Sequence, residues 1–495
     1  MCDPTLDRRA LLRAGAGVVT AGAAVTFAPA ASGASRTRTF RGRFTGVGTP
    51  DFHYLPFRVP RGVREIAISY RYTPLETGLG FSANVIDIGL FDPDGFRGWS
   101  GGARDRFRVG VARATPGYLA GPIRPGRWRV ALGPFVVLPP GVDWEVTVTL
   151  RFGRPGRRFR PEPAPRAVRG TGPGWYRGDL HAHTVHSDGS WTQRRLGRAA
   201  RRAGLDFLGS SEHNTSSATL TWGRHAPRDL LVLNGEEVTT RGGHWLAMGL
   251  PPGTWIDFRY RPEDGRLSRF TERVRALGGI AVVAHPWVPT PGSTWGYDQD
   301  YADMDAVEIW NGPWTLDDQF GVEAWHAQLV AGSFVPVVGS SDTHGPGTVV
   351  GTPHTVVRAR SLATAALLRG IRRGHAWIAE SATVDLTLEV SAGERTATVG
   401  ERLETVASDL VTVRLGVRGA PGCVAQVLGP AAPVAGGPTD SDGRANLEVQ
   451  LPAALVPFVR AEVRRLDGAP EVNPLAGVPA LAMVAMTNPV FVGSA

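Results

Sequence analysis

Seven short apolar runs lie between residues 176 and 340, and segments with helical spacing of apolar residues follow several of them. The predicted strands are Tyr176–Leu180, Phe207–Ser211, Leu230–Asn234, Trp245–Met248, Ile280–Ala284, Ala306–Ile309 and Val335–Ser340. The predicted helices are Thr192–Ala203, Leu267–Leu277, Asp318–Ala331 and Leu362–Arg372. Strands that alternate with helices are typical of a parallel sheet, because parallel neighbours need a long crossover connection. We therefore predict an α/β domain over residues 175–380, with its sheet either open or closed into a barrel.

The hydrophobic pattern has a different period on both sides of this domain. Residues 36–152 and 381–495 contain segments in which apolar and polar residues alternate, separated by glycine and proline. Examples are Val63–Tyr72, Val85–Phe91, Trp128–Leu132 and Trp144–Phe152 on one side, and Thr383–Val390, Val411–Val417, Ala445–Leu451 and Phe458–Arg464 on the other. This alternation predicts two small β-sandwiches, so the fold class is multidomain α/β plus all-β. A stretch rich in arginine and proline, residues 153–174, is predicted to link the first sandwich to the α/β domain.

The first 34 residues have the features of an export signal. Arg8 and Arg9 precede a weakly apolar stretch at residues 14–28, and small residues at 32–34 offer a cleavage site. This arrangement resembles a twin-arginine (Tat) signal peptide, which implies an extracellular, cell-wall-associated or periplasmic protein. An uncleaved membrane anchor is the alternative. Elsewhere no segment reaches about 18 uninterrupted apolar residues, so we expect no membrane span after removal of the signal.

All 54 basic residues are arginine, and this composition excludes several kinds of chemistry. Without lysine the chain has no Schiff-base nucleophile and no phosphate-binding lysine of the P-loop or kinase type. Two cysteines cannot form a thiolate zinc site or an iron–sulfur cluster. The net charge of +9 is compatible with a nucleic-acid partner, but seven arginines fall within residues 151–169, where a solvated linker explains them. We expect no nucleic-acid partner.

Eleven of the twelve histidines lie between residues 181 and 375, and many of them directly follow a predicted strand. Carboxylates occupy the same kind of position. The strand-end segments are Asp179-Leu180-His181-Ala182-His183 with Asp188, Ser211-Glu212-His213-Asn214, Glu236-Glu237 with His244, His285-Pro286, and Ser341-Asp342-Thr343-His344. In a (β/α) barrel the carboxyl ends of the strands converge on one face. We therefore predict that these side chains meet at one site.

Imidazole and carboxylate groups without thiolate suit zinc, manganese or iron. Two histidines with the spacing H-x-H can bind one ion, and a glutamate can bridge two ions through its two oxygens. Two or three such ions can activate water and stabilise a charged transition state. The sequence therefore predicts a hydrolase with two or three divalent metal ions, and it contains no G-x-S-x-G motif of a serine hydrolase.

The ordered set of motifs resembles the PHP (polymerase and histidinol phosphatase) family. The matching segments are residues 181–189 (HAHTVHSDG), 210–214 (SSEHN), 235–240 (GEEVTT) with His244, 284–286 (AHP), 307–312 (VEIWNG) and 341–344 (SDTH). With an export signal and flanking β modules, the chain is most similar to the CehA/McbA branch of these metallohydrolases. The resemblance implies a distorted (β/α)7 barrel with a metal cluster at the C-terminal ends of its strands.

The resemblance also implies a set of metal ligands. The first metal would be held by His181, His183, Glu237 and Asp342, the second by Glu237, His244 and His285, and the third by Asp188, His213 and His344. Glu237 rather than Glu236 is the expected bridging ligand, because of the G-x-E-V pattern. Catalytic roles are expected for Asp188, His213, Glu237, Asp342 and His344.

Further residues are candidates for orienting the ligands or for contacting the substrate. Those expected to orient the ligand imidazoles are Asp179, Glu212 and Asn214. Those expected to contact substrate are Arg241, Asn214, Trp287 and Asn311, with Trp310 and Trp314 beside them. The arginine would bind an anionic group, and the tryptophans would form the wall of an aromatic pocket.

The expected reaction is hydrolysis of a small-molecule ester by metal-activated water. The PHP resemblance favours a phosphoester, and the resemblance to the CehA/McbA branch implies aryl carbamates, esters or amides as the alternative. A further alternative is a non-catalytic binding protein in which metal only stabilises the fold. In either case the β modules are candidates for contact with glycan or cell-wall polymer.

Overall fold

The computed structural model describes residues 34–46, 48–76, 82–154, 156–466, 471–472 and 479–494. The predicted export signal, apart from Ala34, lies outside the described residues. Within them the chain forms an N-terminal module of two sheets, a central α/β domain and a C-terminal module of strands. None of the described helices has the length and apolar character that crossing a membrane requires.

The N-terminal module packs two four-stranded antiparallel sheets face to face. Its strands are β1 (Ser35–Phe44), β2 (His53–Val59), β3 (Val63–Tyr72), β4 (Leu75–Glu76), β5 (Ser82–Ala83), β6 (Val85–Asp92), β7 (Gly95–Trp99), β8 (Arg106–Gly110), β9 (Gly126–Val136) and β10 (Val142–Phe152). The sheets have the orders β1-β10-β3-β8 and β2-β9-β6-β7. Because side chains alternate between the faces of a strand, buried residues alternate with less buried ones along most of β3 and β10. Ile66, Ile88, Trp128 and Val146 form part of the core between the sheets.

The central domain is built on nine neighbouring strands. They are β11 (Gly174–Asp179), β12 (Phe207–Ser210), β13 (Leu231–Thr240), β14 (Gly243–Met248), β15 (Ile280–Ala284), β16 (Ala306–Asn311), β17 (Val337–Ser340), β18 (His354–Ala359) and β19 (Ala376–Ala379). Their order in the sheet is β17-β16-β15-β14-β13-β12-β11-β18-β19. The seven predicted strands correspond to β11–β17, and β18 and β19 were not predicted.

The sheet is mixed, and not parallel throughout as the sequence pattern predicts. β11, β12 and β13 are parallel to one another, as are β15, β16 and β17. β14 is antiparallel to both of its neighbours, and β18 is antiparallel to β11. The turn between β13 and β14 consists of only two residues, Arg241 and Gly242, and a connection this short joins antiparallel strands.

Four α-helices accompany these strands in the described part of the chain. They are α1 (Gln193–Arg202), α2 (Leu267–Ala276), α3 (Leu316–Val330) and α4 (Thr364–Arg372), all close to the predicted bounds. The Thr192 side chain caps α1 by accepting a hydrogen bond from the Arg195 amide, and Leu196 and Ala200 form its buried face. The connections β12–β13, β15–β16 and β17–β18 contain no described α-helix, so the alternation of strand and helix is irregular.

The segments that follow β11 and β17 approach each other. Ala182 and Thr343 form a parallel bridge, and the His183 amide donates to the Thr343 carbonyl at 2.9 Å. A second bridge joins His213, beyond the end of β12, to Glu237 of β13. These contacts gather the segments that carry the predicted metal ligands at one end of the sheet.

The C-terminal module continues the central sheet. Its strands are β20 (Asp385–Ala392), β21 (Arg395–Thr398), β22 (Arg402–Leu403), β23 (Leu410–Arg418), β24 (Cys423–Leu428), β25 (Pro433–Pro438), β26 (Ala445–Pro452), β27 (Phe458–Arg465), β28 (Glu471–Val472), β29 (Pro479–Ala480), β30 (Met483–Thr487) and β31 (Val490–Val492). One sheet has the order β21-β20-β23-β26, and the other, β30-β27-β24-β25, is joined to β19 through β30. The C-terminal module therefore shares backbone hydrogen bonds with the central domain.

The arginine- and proline-rich stretch is attached to the central domain. The Glu162 amide donates to the Leu220 carbonyl at 2.8 Å, and the Val168 amide donates to the Leu362 carbonyl at 2.9 Å. Arg166 donates to the Gly249 carbonyl at 3.1 Å. Most residues of this segment are exposed to solvent, and these hydrogen bonds attach its second half to the central domain.

Candidate metal centre

The predicted ligands follow strand ends at which the backbone turns sharply. Among the described non-glycine residues, five have a positive φ, and three of these lie in the ligand segments: Asn214 (55°), His285 (30°) and Asp342 (48°). This left-handed region is costly for residues other than glycine. Such strain at three strand ends is typical of a site whose side-chain directions are held by the surrounding structure.

Glu237 is the centre of the first group of side chains, which we call the Glu237 cluster. Its Oε2 atom lies 3.3 Å from His181 Nε2 and 3.4 Å from His183 Nε2. The same two imidazole nitrogens lie 3.3 and 3.0 Å from Asp342 Oδ1. On the other side, Glu237 Oε1 lies 2.8 Å from His244 Nδ1 and 3.4 Å from His285 Nε2. Both carboxylate oxygens therefore face imidazoles, as a bridging ligand requires.

The choice between Glu236 and Glu237 follows from the periodicity of β13. Successive side chains of a strand point to opposite faces, so only one of two adjacent glutamates can face the cluster. Glu236 Oε2 instead accepts a hydrogen bond from the Ile256 amide at 3.0 Å, and burial raises the pKa of its carboxyl well above the usual value. The structure places Glu237 among the histidines and Glu236, which is also buried, on the opposite face.

A second group, the Asp188 cluster, consists of His183, Asp188, His213 and His344. Asp188 Oδ1 lies 3.4 Å from His344 Nε2 and 3.7 Å from His213 Nε2. The rings of His213 and His344 stack on the His183 ring, with centroids 4.4 and 4.1 Å away. The two clusters share His183 and lie side by side, so the nine predicted ligands form one continuous site.

Neighbouring acceptors orient several of the imidazoles. His181 Nδ1 donates to Glu308 Oε2 at 3.1 Å, and His344 Nδ1 donates to the Asp342 carbonyl at 2.9 Å. His213 Nδ1 lies 2.6 Å from Thr239 Oγ1. With Nδ1 carrying the proton, the Nε2 lone pairs of His181 and His344 point into the clusters. This arrangement of an outer acceptor behind a histidine is typical of metal ligands.

The charges of the cluster shift its pKa values in opposite directions. Burial opposes ionisation of Glu237, but the nearby imidazoles of His213, His181 and His244 hold the pKa of its carboxyl well below the usual value. Burial likewise opposes protonation of His344, but Asp188 and Asp342 raise its pKa to about 9. Burial lowers the pKa of His183 to about 3 and that of His244 to about 4. Without cations, only the histidines whose pKa is raised (His181, His285 and His344) compensate the carboxylates.

The donor atoms of the two clusters fit divalent cations. Several buried atoms have no hydrogen-bond partner among the described residues: His181 Nε2, His183 Nε2, Asp188 Oδ1, Glu237 Oε2 and Asp342 Oδ1. Within the described ranges, no arginine forms an ion pair with Glu237 or Asp342. Buried polar atoms are almost always satisfied, and imidazole with carboxylate is a ligand set for zinc, manganese or iron. Metal ions would therefore satisfy these buried donor atoms, which the hydrogen bonds of the described residues leave without a partner.

The predicted substrate contacts lie outside the two clusters and have partners of their own. Arg241 Nη2 donates to the Pro134 carbonyl at 2.8 Å, and its guanidinium lies over the rings of Phe135 and Phe52. Arg241 therefore lies in the interface with the N-terminal module. The expectation was that its guanidinium would bind an anionic group of the substrate, but the two rings and the carbonyl hold the guanidinium at this interface. Asn214 pairs with the backbone of Thr239 at 2.8 and 3.1 Å.

Asn311 and the tryptophans occupy different positions around β16. The side-chain amide of Asn311 donates to Glu308 Oε2 at 2.9 Å. Asn311 therefore supports Glu308, which is the hydrogen-bond acceptor of His181. Trp310 is fully buried and donates to the Gly312 carbonyl at 3.0 Å. Trp287, two residues beyond His285, is 38% exposed. Trp287 therefore lies near a predicted metal ligand and has an exposed ring.

The residues expected to orient imidazoles do so only indirectly. Asp179 accepts from the Ser341 side chain and from the Ser341 and Gly351 amides, at 3.1 and 2.9 Å. Glu212 accepts from Ser187 Oγ at 2.7 Å and from the Thr184 amide at 3.1 Å. Both carboxylates hold the loops that carry the ligands. The sequence analysis did not predict that Glu308 and Thr239 contact the imidazoles of His181 and His213 directly. The position of Glu308 near the end of a predicted strand could have indicated such a role.

The comparisons with known proteins give distant likenesses. A two-domain protein from Bacteroides vulgatus containing a predicted PHP-like metal-dependent phosphoesterase is 16% identical with a TM-score of 0.35, and the match covers 66% of this chain and 100% of that chain. An amidohydrolase from Chromobacterium violaceum, with bound sulfate and no metal, is 18% identical with a TM-score of 0.26, covering 35% and 89%. A family two carbohydrate esterase from Cellvibrio japonicus is 10% identical with a TM-score of 0.16, covering 68% and 97%.

No protein-family model and no curated protein matches the sequence. At TM-scores below 0.5, the structural likenesses carry no weight for the activity of this chain.

Proposed function

We propose that the chain is a metal-dependent hydrolase of the PHP type, with a distorted (β/α)7 barrel as its central domain. The observation that carries this proposal is the set of orphaned, buried imidazole and carboxylate atoms around Glu237 and Asp188. Divalent cations bound there would lower the pKa of water and polarise the bond to be cleaved. Zinc, manganese and iron all suit this donor set.

Different side chains of the site would bind each of the two or three cations. Glu237 offers one oxygen to His181 and His183 and the other to His244 and His285, so it can join two cation positions. Asp188, His213 and His344 offer a further position beside them. Glu308 keeps the His181 ring in the tautomer that presents Nε2. Each of these contacts fixes a ligand before substrate binds, which is how preorganised charge lowers a barrier.

We propose a phosphoester as the substrate. Adjacent cation positions that share ligands can bind both the attacking and the leaving oxygen of an in-line displacement at phosphorus. The sharing of His183 between the two clusters supports such an arrangement. One observation favours the aryl carbamate alternative, namely the exposed Trp287 ring next to His285, which offers an apolar surface for an aryl group.

The two substrate classes can be separated in one experiment. The chain from Ser35 onward, loaded with Mn2+ or Zn2+, is tested on matched aryl phosphate mono- and diesters and on an aryl methylcarbamate, each with and without chelator. Phosphate release that the chelator abolishes supports the proposal. Chelator-sensitive cleavage of the carbamate alone supports the alternative and directs attention to Trp287. Stoichiometric metal without turnover of any ester would indicate a non-catalytic binding protein.

Variants of the ligands test the same proposal. His213→Ala and Asp342→Ala remove one ligand each, and we expect turnover to fall by about a thousandfold or more, since metal ions contribute several kcal/mol to such reactions. His375→Gln is a matched control, because His375 lies 3.4 Å from Arg358 and outside both clusters. Retained turnover in both ligand variants would contradict the proposed function.

We also propose that residues 1–34 direct export by the Tat pathway. Arg8 and Arg9 before a short apolar stretch support this proposal. The Tat pathway transports folded proteins, which suits a protein that binds its metals before export. Replacing both arginines with lysine should keep the protein inside the cell, and continued export of that variant would contradict the proposal.

A further inference from the structure

Two loops of the N-terminal module contact the loop that carries His183 and Asp188. From the first loop, the Arg104 guanidinium donates to the Ser187 carbonyl at 3.1 Å and to the Val185 carbonyl. These carbonyls lie in the short stretch between the two ligands. Arg104 belongs to the segment before β8, about 80 residues away in the sequence.

The second loop makes its contact through Gly117. The Gly117 amide donates to Ser217 Oγ at 3.0 Å, and the Gly117 carbonyl accepts from Thr215 Oγ1 at 2.8 Å. Ser217 Oγ also lies 2.8 Å from His186 Nδ1. Gly117 has a φ of 96°, and a Cβ atom there would lie 2.9 Å from the His186 carbonyl oxygen. Only glycine permits this close approach.

The two contacts hold two neighbouring segments of the Asp188 cluster. Arg104 binds the segment between His183 and Asp188, and Gly117 binds the segment that follows His213. We call these contacts of Arg104 and Gly117 the clamp. It joins two ligand loops to one rigid β-sandwich, and it therefore fixes their separation.

The Arg104 side chain is suited to such a role. Burial lowers the pKa of its guanidinium, while Tyr118, Glu212 and Asp188 counteract this effect. A guanidinium remains charged even when buried, and its fork of N–H groups can bind two carbonyls at once. Arg104 thereby places a permanent positive charge close to Asp188 without touching the ligand atoms of the cluster.

We propose that Arg104 is a positioning residue for the Asp188 cluster, so that the N-terminal module forms part of the metal centre. The proposal rests on the metal centre proposed above. Arg104 and Gly117 set the position of the loop so that Asp188 and His183 meet His213 and His344. Without the clamp, the loop that carries His183 and Asp188 keeps its hydrogen bonds to Glu212 but loses its hydrogen bonds to the N-terminal module.

The test measures Mn2+ binding by the whole chain from Ser35 onward, with calorimetric titration and metal analysis. We expect Arg104→Ala to weaken one class of Mn2+ site by about tenfold or more, in the range found for residues that support metal ligands. Arg104→Lys, which keeps the charge and can reach one carbonyl, should recover part of the affinity. Arg106→Ala is the matched control, because Arg106 pairs with Asp105 on the surface and is expected to bind Mn2+ like the unmodified chain.

Several outcomes would overturn the inference. Equal Mn2+ affinity in Arg104→Ala and Arg106→Ala would show that Arg104 does not position the cluster. Equal weakening of every Mn2+ site, together with a lower unfolding temperature of the metal-free chain, would show a general structural role instead. If Arg104→Ala does not fold, Ser217→Ala decides, since it removes the acceptor of the Gly117 amide and should weaken the same class of site. Failure of the unmodified chain to bind any Mn2+ would contradict the proposed function itself.

Discussion

Two buried clusters of charged side chains lie in different parts of this protein. In the C-terminal module, Glu462 lies between Arg460 and Arg464, with N–O distances of 2.5 and 2.6 Å. Arg460 also donates to His326 Nδ1 at 3.1 Å, and Arg464 donates to Gln319 at 2.9 Å. In the central domain, the Glu237 cluster places carboxylates against histidines and leaves several of their atoms without a hydrogen-bond partner in the described chain.

The difference lies in how the buried charge is compensated. Glu462 is neutralised by two guanidinium groups, which stay charged at any physiological pH. Burial opposes its ionisation, yet Arg460 and Arg464 lower the pKa of Glu462 to about 2. The histidines around Glu237 compensate its charge only when they are protonated. A buried carboxylate paired with arginine has its charge compensated at any physiological pH. A buried carboxylate paired with histidines can instead have its charge compensated by metal cations, which replace the protons of the histidines.

Metal removal should produce the largest difference between the two regions. At a free metal concentration a thousand times the dissociation constant, each bound cation stabilises the folded state by about 4 kcal/mol. A chelator should therefore lower the unfolding temperature of the chain from Ser35 onward, and added Mn2+ or Zn2+ should restore it. Calorimetry of the two forms checks this prediction, and identical unfolding temperatures would contradict it.

Glu462→Gln should destabilise the protein without affecting the metal centre. Removing one partner of a buried ion pair costs about 3–5 kcal/mol, because the remaining charge is left uncompensated. We expect the same loss of unfolding free energy with and without metal, measured by denaturant titration. A loss that appears only in the metal-loaded form would mean that the two clusters are coupled.

The pH dependence of stability should differ between the metal-free and metal-loaded forms. In the metal-free form, the folded pKa of His344 is about 9. Its contribution is complete below about pH 6.5, the usual pKa of histidine, and is lost as the pH rises toward 9. The lowered pKa values of His183 (about 3) and His244 (about 4) act in the opposite direction, so that stability rises between about pH 4 and 6.5.

With metal bound, the folded imidazoles stay deprotonated, so stability should increase as the pH rises toward about 6.5, the usual pKa of histidine in the unfolded chain, and should stay constant from there to pH 9. Unfolding free energies between pH 5 and pH 9 at about one-unit intervals distinguish the two forms. The region around Glu462 should respond to neither metal nor neutral pH, since its contribution is lost only as the pH falls below about 4.5 toward 2. A metal-free form with constant stability from pH 6.5 to pH 9 would contradict the protonation of His344.

Glu308→Gln should have a smaller effect on metal binding than loss of a ligand. Glu308 accepts from His181 Nδ1, from the His285 amide and from Asn311. Substitutions behind metal ligands typically weaken binding by about 10- to 100-fold. Metal titration should show this loss. Unchanged metal affinity would show that Glu308 does not support the ligands.

Much of the central domain could be predicted from local sequence patterns. Ile280–Ala284 matches β15 in both bounds, and the predicted helices coincide with α1–α4 within a few residues. These elements are signalled by the spacing of their own apolar residues. Strand direction is not signalled in this way, since a run that is buried on both faces has no marked orientation. The hairpin of β13 and β14 was therefore missed.

The candidate site was predictable where its residues lie next to strand ends and not where it depends on distant segments. His181 and Asp342 follow apolar runs, so their meeting could be expected from the convergence of the strands. Arg104 lies in another module and approaches Ser187 only in the folded chain. Arg241 is close to the ligands in sequence, but its side chain turns toward Phe135 of the N-terminal module. No local pattern encodes contacts of this kind.

The most direct test compares two adjacent glutamates on opposite faces of β13. Metal content per chain and metal affinity are measured for the unmodified chain, Glu236→Gln and Glu237→Gln. Glu236 lies on the opposite face of β13 and accepts a hydrogen bond from the Ile256 amide, so Glu236→Gln should retain full metal content. Glu237 faces five histidines, so Glu237→Gln should lose at least one bound cation per chain. Equal metal content in the two variants, or no bound metal in the unmodified chain, would contradict the account.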